Sequence, residues 1–244
     1  MNFKAEFEAK LASMKPNYII RGIVTADNRI YPLGSDTKVL SSVFELIARP
    51  LVYAIAEEHG LRVHEAKIQN AYPDFTLMKN ERDTKKIAVD VKTTYRDAAS
   101  GWRVNFTLGG YTSFIRNETK NIEFPFSQYA EHWVIGFIYG RVRHDQPPAH
   151  VYALKDVASI PAPYTEVDVF VQEKWRIAGD CAGSGNTTNI GSINGTLEDF
   201  REGRGCFESE AEFLEYWRGY GRTKADRSGV YSNISQFRGT KRRR

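Results

Sequence analysis

The run HWVIGFIYG, residues 132–140, constrains the fold more than any other stretch of the chain. Its apolar residues continue without alternation, which is the pattern of a strand buried on both faces inside an α/β sheet. Other β-rich runs surround it. YIIRGIVTADNRIYPLG reads as a hairpin turning at Asp27-Asn28, and YPDFTLMKNERDTKKIAVDVK, residues 72–92, reads as a second that turns within 79–85. VDVFVQEKWRIAG reads as a third hairpin, leading into the glycine-rich GDCAGSGNTTNIGS.

Helical patterns are interleaved with these strands. Phe3, Phe7, Leu11 and Met14 share one helical face. SDTKVLSSVFELIARPLVYAIAEEHG is the strongest helix signal, with Ser35, Asp36 or Thr37 as its cap and Gly60 as its stop. Pro50 is expected to kink it or divide it in two. A capping box from Ser209 to Glu212 opens a further helix through Tyr216 and Trp217. Strands mixed with helices in this way predict an α/β fold, and 244 residues suit one large domain or a domain with a lobe.

The two cysteines, Cys181 and Cys206, provide no disulfide framework and no metal-ligand spacing. The N-terminal residues are charged, with no apolar signal-peptide core, and no apolar run approaches the length of a membrane span. A reducing, cytoplasmic setting without a membrane partner is expected. The net charge of +4 is unevenly placed: residues 218–244 hold nine basic residues and one acid, ending KRRR. A basic tail on a mildly acidic body fits either a polyanionic partner or a solvated terminus.

The hairpin at 72–92 poses the chemical question. An acid-x-lysine triplet means little alone, since the pattern recurs at Glu8 to Lys10, Glu65 to Lys67, Asp83 to Lys85 and Glu118 to Lys120. Asp90-Val91-Lys92 differs because it ends an apolar strand, KIAVDVK. Period-two alternation puts Ile87, Val89 and Val91 on one face and Ala88, Asp90 and Lys92 on the other, a face that is either a site or simply wet. Of nine prolines only Pro73 precedes an aspartate, and a proline at a strand start delivers Asp74 into FTLM. If the two strands pair, Asp74 and Asp90 become neighbours, and adjacent carboxylates repel unless a cation lies between them. Hard oxygen ligands of this kind suit Mg²⁺. Lys92 is then placed to assist attack on a phosphodiester, and Glu45, set among Val43, Phe44, Leu46 and Ile47, could supply a third carboxylate. Together these residues make a metal-dependent nuclease site.

Pro73-Asp74 followed by Asp90-Val91-Lys92 resembles the signature of the PD-(D/E)xK nuclease superfamily. IYPLGSDTKVL, YPDFTL, VKTTY, FTLGGYTSFIRN, IAGD and AGSGNTTNIGSI are similar to segments of the EcoRV family of type II restriction endonucleases, over about residues 30–220. The resemblance implies a restriction-endonuclease-like mixed β-sheet flanked by helices, with a β-rich DNA-recognition lobe. It implies a homodimer that hydrolyses double-stranded DNA with Mg²⁺ at a palindromic site, GATATC, leaving blunt ends. Asp74 and Asp90 would be the metal-binding catalytic acids, Lys92 the catalytic lysine and Glu45 an auxiliary metal-site acid. Within a single domain, residues 1–34 would serve dimerisation, 35–150 the catalytic core, and 151–244 DNA recognition and the basic tail. The N-terminal helix and the 18–32 hairpin would supply the dimer surface.

The run GSGNTTN at 183–189 resembles the loop that family members place in the major groove. Gly183, Ser184, Gly185, Asn186, Thr187 and Thr188 offer suitable groups, since asparagine pairs with adenine and glycines let backbone amides approach base edges. The same residues fit a phosphate nest or a hairpin turn. No Gly-Lys-Ser/Thr follows, so this is not a Walker loop, and no nucleotide cofactor is expected. KIQNAYPD resembles the loop that approaches the minor groove through Gln69 and Asn70, although Ile68 stands where a further glutamine would be expected. Thr37, Lys38, Ser41, Thr94, Ser113 and Lys120 are polar or basic positions suited to the DNA backbone. Two other readings are a DNA-binding protein with a degenerate nuclease centre and a repair or junction nuclease. The intact Glu45, Asp74, Asp90 and Lys92 argue against the first, and the 183–189 loop argues against the second.

Overall fold

The computed structural model describes residues 1–68, 70–96, 102–142, 150–183, 188–221 and 231–241. Its centre is a mixed five-stranded sheet of order β3-β4-β5-β7-β9, formed by β3 (Arg62–Glu65), β4 (Phe75–Met78), β5 (Lys86–Arg96), β7 (Tyr129–Arg141) and β9 (Tyr164–Glu173). Only β5 and β7 run parallel; the other neighbouring pairs are antiparallel. The apolar run at 132–140 thus lies inside the sheet between β5 and β9, which explains why it does not alternate. Trp133, Ile135, Phe137 and Tyr139 pack to one side, while Val134 and Ile138 pack to the other. Gly136 interrupts the second set because a Cβ there would lie 2.1 Å from the Phe170 ring.

Two helices cover the first side. α1 (Phe3–Met14) buries Phe3 and Phe7, while Leu11 is only half-buried and Met14 is exposed. The predicted four-residue face therefore buries only its first two members. α2 (Thr37–Glu58) is capped by Asp36, whose carboxylate accepts from the Lys38 and Val39 amides. It ends at Gly60, which has φ +63 and is bracketed by the bonds Gly60 N to Glu57 O and Leu61 N to Ala56 O. Pro50 neither divides nor ends it. The amide that proline lacks would have met the Leu46 carbonyl, and both residues lie on the exposed side, where that carbonyl is open to solvent. α2 is long and apolar enough to cross a membrane, but one face of it, with Leu40, Phe44, Ile47, Leu51, Val52 and Ile55, is buried in the core.

The other side of the sheet is covered by a lobe. Its small sheet has the order β10-β11-β6, from β6 (Thr107–Gly110), β10 (Ala178–Ala182) and β11 (Asn189–Ser192). α4 (Leu197–Glu202), α5 (Glu210–Gly219) and α6 (Ile234–Lys241) pack around it through Phe200, Tyr216, Trp217 and Phe237. The hairpin expected in VDVFVQEKWRIAG is not formed. β9 joins the central sheet, a single helical turn α3 (Lys174–Ile177) intervenes, and β10 joins the lobe. The capping box expected at Ser209 is half made: Ser209 accepts from the Glu212 amide, but the Glu212 carboxylate takes the Glu208 amide instead of the Ser209 amide. A complete box opens α4 at Thr196 and Asp199. The expected division at residue 150 is crossed both ways, since β6 precedes it in the lobe and β9 follows it in the central sheet.

β1 (Gly22–Val24) and β2 (Arg29–Pro32) form the first predicted hairpin, and β8 (Tyr152–Ala153) extends it to a separate three-stranded sheet.

Candidate active site

The hairpin at 72–92 forms as its sequence suggests. Phe75 lies opposite Val89 and Leu77 opposite Ile87, so continuing the register sets Asp74 against Asp90. Ile87, Val89 and Val91 pack under α2, whereas Ala88 packs into the lobe. Asp90 and Lys92 therefore point between sheet and lobe, and the face is not wet: Asp90 is 3% exposed.

The Asp74 Oδ2 accepts from the Val91 amide at 2.6 Å, which fixes this carboxylate against β5. The Asp90 Oδ1 pairs with the Lys92 ammonium at 2.8 Å, and its Oδ2 with the Lys174 ammonium at 3.4 Å. Burial, together with the Asp90 charge, pushes Asp74 up to about 7 against the opposing pull of Lys92. Burial would raise Asp90 too, but Lys92 and Lys174 outweigh it and hold that acid below the usual range. The two carboxylates are thus an unequal pair, Asp74 raised and Asp90 lowered. For Lys92 the acids Asp90 and Asp74 overcome burial and raise the ammonium. Burial also raises Glu45, with Arg49 opposing.

Glu45 feels the charges of Asp90 and Lys92 and lines the same cleft as Asp74, but it does not complete a compact triad with the two aspartates. Among the described residues no three acidic, histidine or cysteine side chains converge as a ready-made metal centre. The donor set nevertheless fits Mg²⁺, which binds through one or two carboxylates and takes its remaining ligands from water and phosphate. A cation between Asp74 and Asp90 would replace the proton that burial now keeps on Asp74.

Two open clefts meet at these residues. One, of about 930 Å³, is lined by Thr37, Lys38, Ser41, Glu45, Asp74, Lys92 and Thr94, and also by Arg103, Asn105 and Thr107. The other, of about 460 Å³, is lined by Asn70, Asp74, Asp90, Lys92, Ser113, Lys120 and Thr188, with Gly109 and Gly110 at its wall. Gly183 lies beside Thr107, and its amide donates to Asn189 O at 2.8 Å, closing the base of the β10–β11 turn. Gln69, Ser184, Gly185, Asn186 and Thr187 lie outside the described residues, as do the last three arginines of the tail. Every other predicted site residue lies on or beside the two clefts. Two of the hydroxyls already have partners: Ser41 donates to Thr37 O and shares a bond with Thr93, and Ser113 donates to Gly110 O.

Sequence reasoning missed Lys174, Arg103 and Asn105. A lysine directly after an apolar strand was the available signal for Lys174. Arg103 lies in a polar stretch with nothing to distinguish it, yet it lines the larger cleft and bonds the Asn194 carbonyl.

Comparison with known proteins supplies the family. Residues 14–242 match the family model described as restriction endonuclease EcoRV. The type II restriction enzyme EcoRV of Escherichia coli is 53% identical over 238 residues, covering 98% of this chain and 97% of that protein. The solved structure of the NlaIV restriction endonuclease aligns with a TM-score of 0.40 and 12% identity, covering 95% of this chain and 92% of that one, a likeness too slight to argue from.

Proposed function

The chain belongs to the EcoRV restriction endonuclease family and is a type II restriction enzyme, and from that premise we propose that it cuts both strands of GATATC bluntly as an Mg²⁺-dependent homodimer. The observation that carries this reading is the meeting of Asp74, Asp90 and Lys92 where two clefts join. Asp74 and Asp90 would hold the metal, with Glu45 as an outer carboxylate. A divalent cation bound there polarises the scissile phosphate and lowers the cost of forming the attacking nucleophile.

The remaining tasks fall to the chain's own groups. Lys92 presents a held proton and a positive charge where the clefts join, facing the phosphate oxygens as charge develops on them. Thr37, Lys38, Ser41 and Thr94 on one side, with Ser113 and Lys120 on the other, set the register of the DNA backbone without reading sequence. Base reading belongs to the 183–188 loop in the major groove and to Gln69 and Asn70 in the minor groove. The TA step at the centre of GATATC is easily kinked, which adds specificity through deformation.

A palindromic target asks for a two-fold dimer. Support comes from the β1-β2-β8 sheet and the segment after it. Ile23, Val24 and Tyr31 are 62%, 54% and 52% exposed, and Leu154 and Val157 are 45% and 42% exposed. Exposed apolar side chains gathered on a separate small sheet suit an interaction surface. α1 buries only Phe3 and Phe7, so its outer face stays available, and the dimer surface is proposed to comprise this helix, the hairpin and the 151–157 segment.

The test is digestion of plasmid DNA with and without Mg²⁺, followed by mapping of the ends. Discrete blunt fragments at GATATC are expected. No cleavage would favour a binding protein, and cuts confined to junctions or lesions would favour a structure-specific nuclease.

A further inference from the structure

We propose that Lys174 is a positioning residue for cleavage, a buried cation that holds Asp90 in place and links it to both DNA-facing loops. The proposal deepens the nuclease reading and rests on Asp90 as a metal-binding acid. Lys174 is 2% exposed, and among the described residues the one hydrogen bond its ammonium makes is to Asp90 Oδ2, at 3.4 Å. Its other neighbours are rings: the ammonium lies 3.7 Å from the Tyr72 ring centre and 5.4 Å from that of Phe114.

A lysine buried with so little in return does not serve packing, because an apolar residue of similar volume is often neutral or stabilising at such a place. The carboxylate its ammonium touches is Asp90. That carboxylate divides its oxygens between two lysines of different exposure. Lys92, whose side chain is 23% exposed, takes Oδ1 and borders both clefts; Lys174, sealed beneath, takes Oδ2. Lys92 is then free to turn towards a phosphate, and Oδ1 towards a cation, while Lys174 keeps Asp90 from rotating away. The acid arrives already oriented, which is where small displacements are most costly in rate.

The same ammonium also reports on the loops. Tyr72 closes the segment that carries Asn70 and stands two residues before Asp74, and its amide and carbonyl are bonded to Asn121 and Glu123. Its ring stacks on Phe114 at 4.2 Å, beneath the smaller cleft. Lys174 itself begins α3, which leads through β10 to Gly183 and the major-groove loop. Lys174 thus stands between Asp90 and the Tyr72 end of the Asn70 segment.

The test uses Lys174→Met and Lys174→Gln in the full chain. For a GATATC duplex with Mg²⁺, kcat is expected to fall roughly a hundredfold with KM within about threefold. In the metal-free protein, Lys174→Met should melt no lower than wild type. Asp90→Asn should melt lower because it strands the ammonium, and the Asp90→Asn/Lys174→Met double variant should recover that loss. Full kcat in both Lys174 variants overturns the positioning role, and equal melting of Asp90→Asn and the double variant overturns the pairing. Should the methionine variant not fold, the glutamine variant carries the kinetic comparison; failure of both to fold assigns Lys174 to structure and overturns the proposal. If wild type leaves GATATC uncut, the nuclease reading fails on its own, and the melting cycle still decides whether Lys174 serves Asp90.

Discussion

The two ends of the β4–β5 hairpin carry the same acid-x-lysine pattern and do opposite things with it. At the turn, the Asp83 carboxylate accepts from the Lys79 and Lys85 amides at 2.9 Å each. Buried Lys86 beside it donates to the Glu81 carbonyl, the Asp83 carbonyl and the Gln128 side chain. Both of these charges are closed by neutral groups. Seven residues on, Asp90, Lys92 and Lys174 are closed mainly by one another. The titration behaviour differs in cause: backbone bonds from Lys79 and Lys85 hold Asp83 below the usual range, whereas Asp90 is held there against burial by Lys92 and Lys174, and burial drives its neighbour Asp74 up to about 7. Charges satisfied by amides and carbonyls fix a turn and need nothing more. Charges satisfied mainly by other charges are ready to exchange partners with an incoming cation or phosphate.

The sharpest way to break this contrast is to delete one acid from each end. Asp90→Ala is expected to lower the single-turnover cleavage rate by roughly a thousandfold or more, on the scale of removing a principal electrostatic group from an active site. Asp83→Ala should leave that rate unchanged and cost about 1 kcal/mol in a urea melt, the worth of the turn bonds it drops. Equal effects on cleavage would erase the distinction.

A second comparison sets the buried lysines against each other through stability alone. Lys86→Met leaves two carbonyls and an amide oxygen without their donor, which should cost about 2–3 kcal/mol by chemical denaturation. Lys174→Met leaves Asp90 with Lys92 and should cost nothing. The ordering is the point, because both lysines are nearly inaccessible, at 0% and 2% exposure, and burial alone would treat them alike.

How much of this was legible beforehand follows from what each interaction depends on. Asp74, Asp90 and Lys92 could be read from sequence because one turn joins their strands, and alternation then decides their faces. α2 could be read because its cap, apolar face and terminating glycine are all local. Lys174 could not, since it reaches Asp90 across 84 residues and its position depends on β9 lying two strands from β5, and sheet order is not written in any one segment. The misread hairpin at 167–179 has the same origin. Its two runs have strand character on either side of Lys174–Ile177, but which sheet each joins is a tertiary decision. Glu45 lies between these cases: its helix was evident, while its distance from the two aspartates depends on how α2 lies across β5.

The acid pair also makes a prediction in pH. Asp74 titrates near 7 in the folded protein against 3.8 ordinarily, so between about pH 4 and 7 the folded state keeps a proton that the unfolded chain has lost. Its contribution to stability is therefore full below pH 4, declines as pH rises, and is gone above 7. Buried His132, held neutral down to about 3 against an ordinary 6.5, has the opposite slope between those values. The Asp74 effect is thus read as the difference between wild type and Asp74→Asn. The metal-free wild type should lose melting temperature relative to the variant from pH 5 to 8, by about 2–4 °C for each kcal/mol. Added Mg²⁺ should cancel the loss at pH 8 in wild type only. A difference that stays flat with pH would mean that Asp74 does not hold the pair's proton.

The smallest expected effect comes from Glu123, which combines the two kinds of closure. One oxygen accepts from the Lys67 amide at 3.0 Å, as at the turn, and the other meets the His64 imidazole at 2.8 Å, one ionisable side chain against another. The Glu123 amide also donates to Tyr72 O, so this one residue bonds both ends of the segment that carries Asn70. Glu123→Gln keeps an acceptor for the Lys67 amide and loses only the charge towards His64. The cost should stay within about 1 kcal/mol, as for other partly exposed pairs, and cleavage of GATATC should stay within about twofold. Glu123→Ala drops both bonds and frees one end of the loop. Its expected signature is a loss of discrimination between GATATC and sites differing by one base pair, measured as the ratio of kcat/KM values. If the glutamine variant lost discrimination as fully as the alanine variant, charge would be holding this loop, and the backbone bond to Lys67 would be incidental.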